Sequence, residues 1–322
     1  MEMLIRVAVP VPLPRLFDYR LAEGMAGDGL APGMRVLVEF GRRRLVGVIA
    51  EIGSGDGAAL KPLLARLDER TLFDPALWLT LQRAARYYHA PLGEVLACAL
   101  PAGLRRAEAP LRNQLLIYHL SALGIEAASF VRGNTQKRLI ERMRVGSVGA
   151  SELSTLHARW RPLLDRWIEQ GWVEAIAISP FAPPPILSEG PRLEAEQSHA
   201  VAHLLAELGS FKVSVLDGVT GSGKTEVYLR LLAEVVARGQ QGLLLVPEIG
   251  LTPQLIARVR ERLPARVAAL HSELSEGERV EVYLAAARGE VDVVVGTRSA
   301  VWTPFPRLGT ILVDEEHDAS YK

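Results

Sequence analysis

The sequence predicts a multi-domain chain that opens with a β-rich region, passes through a helical middle and ends in an α/β domain on a parallel sheet. Three observations carry this. Strand-like alternation recurs near the N-terminus, between turn residues. A proline-rich stretch, Ser179-Pro-Phe-Ala-Pro-Pro-Pro185, interrupts the middle of the chain. Beyond it, five short apolar runs alternate with helical segments, as in a doubly wound sheet covered on both faces.

The β-rich region is taken as residues 1–105. Its apolar runs at 4–9, 35–40 and 45–50 are separated by Ala31-Pro-Gly33 and Gly41, as antiparallel strands require. A helix is expected over 75–88, with Asp74 as N-cap and Pro75 at its first position. The middle region, 106–178, reads as helices at 115–123, 137–143, 151–156 and 161–170, with a strand over 172–178. Helices followed by a strand suggest a winged-helix-like α+β module. Residues 179–190 read as a semi-rigid linker with polyproline II character. In the last region, 191–322, strands are expected at 213–216, 242–246, 267–270, 291–295 and 310–313.

Composition narrows the classes. Hydrophobic residues make up 49% of the 322, enough for sizeable cores and too much for wholesale disorder. Lys+Arg and Asp+Glu are 37 each, a balance that neither supports nor excludes a nucleic-acid partner, because a local basic face can sit inside a neutral total. The single Cys98 excludes an internal disulfide and any multi-cysteine zinc site within this sequence. No apolar run approaches the roughly 18 residues of a membrane span, and the opening residues carry too many prolines for a signal sequence. A soluble, cytoplasmic protein with no membrane partner is expected.

The chemistry lies in the last region. Gly218-Val-Thr-Gly-Ser-Gly-Lys-Thr225 fits G-x-x-x-x-G-K-[ST], whose backbone N–H groups cradle phosphate oxygens. Gly218, Gly221 and Gly223 let the backbone wrap where a Cβ would intrude, with Val219, Thr220 and Ser222 completing the loop. A helix opening at Lys224 turns its positive end toward the same oxygens. Lys224 would reach the β- and γ-phosphates, and the Thr225 hydroxyl would join a magnesium shell. A Gly-rich strand-to-helix turn can also be only a turn. Asp314-Glu-Glu-His317 follows the apolar run 310–313, at the carboxyl end of a strand, where open α/β sheets bind ligands. Asp314 would hold magnesium through water and Glu315 would orient or deprotonate the attacking water. Read alone, such an acidic turn could be a helix cap. Together the two motifs point to Mg2+-dependent hydrolysis of a nucleoside triphosphate, which the resemblance given next implies is ATP.

The acidic box resembles the DExH motif of superfamily 2 helicases. Four blocks, Asp217-Gly-Val-Thr-Gly-Ser-Gly-Lys-Thr-Glu-Val-Tyr228, Leu245-Val-Pro-Glu-Ile-Gly-Leu-Thr-Pro-Gln254, Gly296-Thr-Arg-Ser-Ala300 and Asp314-Glu-Glu-His-Asp-Ala-Ser-Tyr-Lys322, are similar to those of the bacterial primosomal replication-restart helicases. The resemblance implies a RecA-like first motor lobe and an ATP-dependent 3′-to-5′ DNA helicase acting at stalled or repaired forks. It continues at the N-terminus, in Val9-Pro-Val-Pro-Leu-Pro-Arg-Leu-Phe-Asp-Tyr19 and Pro32-Gly-Met-Arg-Val-Leu-Val-Glu-Phe-Gly41, which look like that family's 3′-DNA-binding domain.

By this resemblance Phe17, Asp18, Tyr19, Gly41 and Lys61 form a pocket for a DNA 3′ end. An aromatic can stack on the terminal base and a carboxylate can accept from a free hydroxyl. Arg42-Arg-Arg44 adds positive charge beside the turn. The same residues also read as a core Phe and Tyr beside a solvated hairpin tip. Gln197 resembles the glutamine that recognises adenine, since its amide both donates and accepts. Thr252 and Gln254, with Pro253 between them, resemble one block that touches the tracked strand's backbone. Thr297 and Arg298, flanked by Gly296 and Ser299, resemble another. His317 is implied as the coupling residue between nucleotide and DNA; bottom-up it could equally be a buried histidine bonded to a carbonyl. In the middle region Arg132, Lys137, Arg138, Arg142 and Arg144 could meet duplex phosphates or form a solvated face.

Complete members of that family continue into a second motor lobe with a catalytic arginine and a cysteine-rich zinc insertion. The zinc ligands are absent from this sequence, which stops eight residues after Asp314. A fragment truncated after its first lobe is therefore expected, one that binds forked and single-stranded DNA but does not unwind alone. Primosome proteins and single-stranded-DNA-binding protein are partners implied by the resemblance. Two alternatives stand beside it: a fork-DNA-binding module without motor activity, and another DExH nucleic-acid translocase.

Overall fold

Alternating apolar residues build the opening sheet. In the computed structural model, β1 (Glu2–Ala8), β2 (Phe17–Arg20), β3 (Arg35–Phe40), β4 (Arg43–Gly55) and β5 (Ala65–Arg66) pair antiparallel in the order β2-β1-β4-β3-β5. The structure describes residues 2–57, 59–108, 115–128, 131, 133–178, 181, 190–219, 221–248 and 250–321. β3 and β4 meet at a tight hairpin, where Gly41 takes a φ of +60° that a side chain would resist. One face of the sheet buries Ile5, Val7, Tyr19, Val36, Val38 and Ile49. Arg35 lies buried at its start, with its guanidinium on Asp68 at 2.6 Å and on the carbonyl of Leu104 at 2.7 Å.

Helices α1 (Pro75–Tyr87) and α2 (Leu92–Ala99) follow. Asp74 caps α1 as expected, accepting from the N–H groups of Ala76 and Leu77. Gly93 allows α2 to press against the carbonyl of Val9. A 3-10 turn over Ala102–Arg105 ends this part.

The middle of the chain departs from the sequence reading at its start. Residues 115–120 are a strand, β6 (Leu115–Leu120), and the helix expected over 115–123 is confined to α3 (Ala122–Ala127). The cause is local. Ile117 and Tyr118 favour extended backbone, β8 offers a full antiparallel ladder, and Ser121 caps the next helix by accepting from Gly124 N–H. α4 (Asn134–Val145), β7 (Val148–Gly149), α5 (Ala150–Leu156), α6 (Trp160–Glu169) and β8 (Val173–Ile178) complete an α+β unit with sheet order β7-β6-β8. Its own core contains Leu139, Met143, Leu153, Leu164 and Trp167. Of the basic cluster, Lys137, Arg138 and Arg144 are exposed, while Arg142 is held on Glu152; Arg132 lies outside the described residues. So does most of the expected linker.

The remaining elements are α7 (Ala195–Glu207), α8 (Lys224–Ala237), β9 (Gln241–Leu245), α9 (Pro253–Arg262), β10 (Val267–Leu270), α10 (Glu276–Ala287), β11 (Val293–Gly296) and β12 (Leu308–Val313). The four strands pair in parallel in the order β10-β11-β9-β12. The fifth expected strand, 213–216, does not join this sheet. Its backbone is irregular, and Val213 and Val215 are 80% and 88% exposed. β-branched residues favour a strand only when a ladder partner and a packed face are supplied; no ladder reaches this segment among the described residues, and of its side chains Leu216 packs on the core while Val213 and Val215 do not.

The chain divides into two compact units, Met1–Arg112 with Pro183–Lys322, and Asn113–Ala182. Within the first, the opening segment and the α/β segment share one core. Val280 and Tyr283 of α10 lie buried among Leu72, Phe73, Leu81, Leu96 and Leu104.

Candidate functional site: the carboxyl edge of the parallel sheet

Register places the motif residues. Gly296 of β11 and Val313 of β12 both pair with Leu245 of β9, so the residues that follow all emerge from one edge. Thr297 follows Gly296, and Asp314 follows Val313. The turn after β9 leads to Thr252, which caps α9 by accepting from Leu255 N–H at 3.2 Å. This is the edge at which parallel sheets bind ligands.

The phosphate-loop motif and the acidic box meet there. Lys224, the first residue of α8, donates from Nζ to the carbonyl of Gly218 at 2.7 Å and lies 3.7 Å from Glu315 Oε1. Gly221 and Gly223 hold φ values of +85° and +82°. Gly223 also makes room for Gln197, whose amide nitrogen a Cβ would strike. Gln197 donates to the carbonyl of Ser222 at 3.0 Å, while its oxygen accepts from Glu194 N–H at 3.0 Å. Both ends of that amide are thus engaged beside the loop. Val219 is exposed and Thr225 half-buried; Thr220 lies outside the described residues.

Asp314 is held on several sides. Its N–H donates to Leu245 O at 2.8 Å, Tyr228 OH donates to its Oδ1 at 3.3 Å, and Tyr321 OH donates to its carbonyl at 3.1 Å. Burial raises its pKa first, and neighbouring Glu315 adds to the rise; Tyr228 and Lys224 oppose them. Burial and the nearby carboxylate push the Tyr321 hydroxyl up to about 12 and drive that of Tyr228 higher still. Glu315 sits at φ +46°, a left-handed conformation that costs a non-glycine residue energy and is found at constrained sites. His317 is 76% exposed and 3.7 Å from Glu315 Oε2, so it is not a buried histidine tied to a carbonyl.

The residues present suit a nucleotide with its cation. Two carboxylates face a single lysine, a donor set that a divalent ion would balance, and the glycine backbone beside Lys224 is open to phosphate oxygens. Sequence reasoning did not single out Tyr228 and Tyr321. The available signal was Tyr228's position one helical turn after Lys224.

The opening sheet brings together only part of its expected set. Phe17 and Tyr19 share one face of β2, and Asp18 takes the other. Phe17 packs edge-on against Phe40 at 4.9 Å, under the guanidinium of Arg15. Tyr19 is buried and donates to Glu39 O at 3.2 Å. Lys61 bridges Glu39 Oε1 at 2.6 Å and Gly41 O at 3.3 Å. Asp18 stands apart, 3.4 Å from Arg6. The Arg42-Arg43-Arg44 tip is exposed, as is Gln254, whereas Thr297 is buried.

Comparison with known proteins agrees with this layout. Residues 6–101 match the family model of a 3′DNA-binding domain, and residues 194–322 match that of DEAD/DEAH box helicases. The replication restart protein PriA of Haemophilus influenzae is 38% identical over 99% of the chain. The chain belongs to the replication restart protein family. The PriA protein of Bacillus subtilis is 28% identical over 96% of the chain, and that of Synechocystis is 49% identical over 42% of it and 16% of its own length. The chain spans less than half the length of the first two, 45% and 48%. Within the replication restart family, then, it carries a strand-rich 3′-DNA-binding domain and a helicase domain on a parallel sheet.

Proposed function

We propose that this chain recognises the 3′ end of DNA at a fork through its opening domain. It would bind Mg·ATP at the carboxyl edge of its parallel sheet, as part of a 3′-to-5′ DNA helicase of replication restart. The observation that carries this reading is the meeting of Lys224 with Glu315, beside Asp314, in a chain whose first hundred residues match a 3′DNA-binding domain. Lys224 would hold the terminal phosphates, exchanging its bond to Gly218 O for phosphate oxygens. Thr225 and Asp314 would hold the cation, and Glu315 would orient the attacking water. Bound magnesium would offset charge on the phosphates. Gln197 stands beside the loop where an adenine edge could be read. Thr252 and Gln254, at the start of α9, and Thr297 and Arg298, just after β11, follow strands that end at the same edge and would suit a DNA backbone contact that carries no sequence information, the buried Thr297 through its main chain.

Forked and single-stranded DNA are the proposed partners. Primosome proteins, single-stranded-DNA-binding protein and a cytoplasmic location follow from the family reading alone. The division proposed is 1–105 for the DNA-end domain, 106–178 for a winged-helix-like domain, 179–190 for a linker and 191–322 for the motor lobe.

Fluorescence anisotropy on a fork whose leading-strand 3′ end abuts the junction tests the proposal, against the same fork bearing a 3′-phosphate. Tighter binding to the free hydroxyl is expected. Equal binding would remove the end-reading role and leave the nucleotide site to be judged separately.

A further inference from the structure

We propose that Tyr228 is a positioning residue that fixes the metal-side carboxylate, a role that rests on the nucleotide-site reading above. Asp314 Oδ1 accepts two hydrogen bonds, from Tyr228 OH at 3.3 Å and from Glu315 N–H at 3.1 Å. Asp314 Oδ2 accepts none among the described residues. With one oxygen tied on two sides the carboxylate cannot turn, and the other oxygen is left to face a cation or its water shell.

The source of that tie is specific. Tyr228 stands on α8, whose first residues are Lys224 and Thr225. Its ring is buried in the core with Leu229, Leu232, Leu244 and Val246, so its hydroxyl is carried by a packed helix and not by a loop. One rigid element therefore supplies the phosphate lysine, the cation-side hydroxyl and the restraint on the carboxylate arriving from β12. Tyr321 acts differently. It donates to the backbone carbonyl of Asp314 and secures the turn, leaving the carboxylate's rotation to Tyr228. Outer partners that orient a metal-side ligand typically change metal affinity by about 10–100-fold when removed.

The test titrates Mg2+ against the whole chain in the presence of a fluorescent, non-hydrolysable ATP analogue, for wild type, Tyr228→Phe and Tyr321→Phe. The phenylalanine keeps the buried ring and removes only the hydroxyl. Tyr228→Phe is expected to raise the Mg2+ midpoint about tenfold, while analogue affinity in excess chelator stays within about twofold of wild type. Tyr321→Phe should shift the midpoint less. An unchanged midpoint in Tyr228→Phe overturns the proposal. So does equal weakening with and without Mg2+, which would mark a packing role, or an equal shift in Tyr321→Phe, which would mark general loosening of the turn. If wild type and Lys224→Ala bind the analogue alike, the nucleotide-site reading itself fails and takes this role with it.

Discussion

Arg262, at the end of α9, closes both terminal nitrogens of its guanidinium on the carboxylate of Glu226 in α8, at 2.8 and 2.5 Å. Both side chains are nearly out of solvent, 12% and 10% exposed, and Arg230 adds a third contact at 3.1 Å. The pair joins the helix that opens at Lys224 to the helix capped by Thr252. Removing one partner of such a pair leaves a buried charge uncompensated, at a cost of about 3–5 kcal/mol, whereas replacing both with apolar residues of similar volume is often neutral. Arg262→Met should therefore lower the urea midpoint sharply, and Glu226→Leu/Arg262→Met should recover most of the loss.

The same pair has a pH signature. The hydrogen bond from Arg262 holds the Glu226 carboxyl below the usual range, outweighing its burial. Its contribution is therefore present above the unfolded glutamate value of about 4.3 and is lost as pH falls through the lower folded value. Urea melts at descending pH should show the gap between wild type and Glu226→Gln closing below about pH 4.

Lys224→Ala should abolish nucleotide binding and spare DNA binding, because the polar contacts of Lys224 among the described residues, Gly218 O and Glu315, both lie at the nucleotide loop. Fluorescent-nucleotide titration beside fork anisotropy separates the two. Equal loss of both would mean unfolding or a misassigned site.

At the DNA end, Asp18→Ala should weaken binding to forks with a free 3′-hydroxyl more than to 3′-phosphate forks. Asp18 is half exposed and, among the described residues, pairs with the equally exposed Arg6, so the substitution should leave stability nearly unchanged. Affinity for either fork should also fall steeply with salt, since phosphate contacts dominate sequence-independent binding. Anisotropy from about 50 to 200 mM salt measures the slope, and a flat response would favour stacking over phosphate contact.

Tyr283 offers a stability test. Its hydroxyl is buried without a hydrogen-bond partner among the described residues, its ring packed on apolar side chains and the Arg35–Asp68 pair nearby. Tyr283→Phe should be neutral or stabilising, by up to about 1–3 kcal/mol, because an unmet polar group is removed. Tyr283→Ala should cost about 3–5 kcal/mol through the cavity it leaves. Differential scanning calorimetry distinguishes the two variants.

Periodicity made much of the fold legible. The runs at 242–246, 267–270 and 310–313 are strands of the parallel sheet within a residue or two, and Asp74 caps the helix its spacing foretold. The failures have one physical source. Residues 115–120 and 213–216 are apolar and short, and such runs take their structure from what they meet. The first meets β8 and becomes a strand; the second meets no ladder and stays irregular. At the proposed nucleotide site, the motif residues stand out in the sequence because the chemistry proposed for them demands fixed types at fixed spacing. Tyr228 and Arg262 do not, because they act through partners 86 and 36 residues away that only the fold brings near. Asp18 enters the expected pocket through the resemblance alone, and strand alternation sets its side chain on the face of β2 opposite Phe17 and Tyr19.

The shared core around α10 has a consequence for how the chain is born. Leu104 and its neighbours leave the ribosome about 180 residues before Tyr283, the side chain that covers them. At roughly 5–20 residues per second that is a delay of about 10–35 s. Residues 113–182, with a core of their own, are complete within that interval. The segment synthesised first is thus finished only after the middle unit, its apolar seam bare until α10 arrives, and chaperone capture should be strongest over that window.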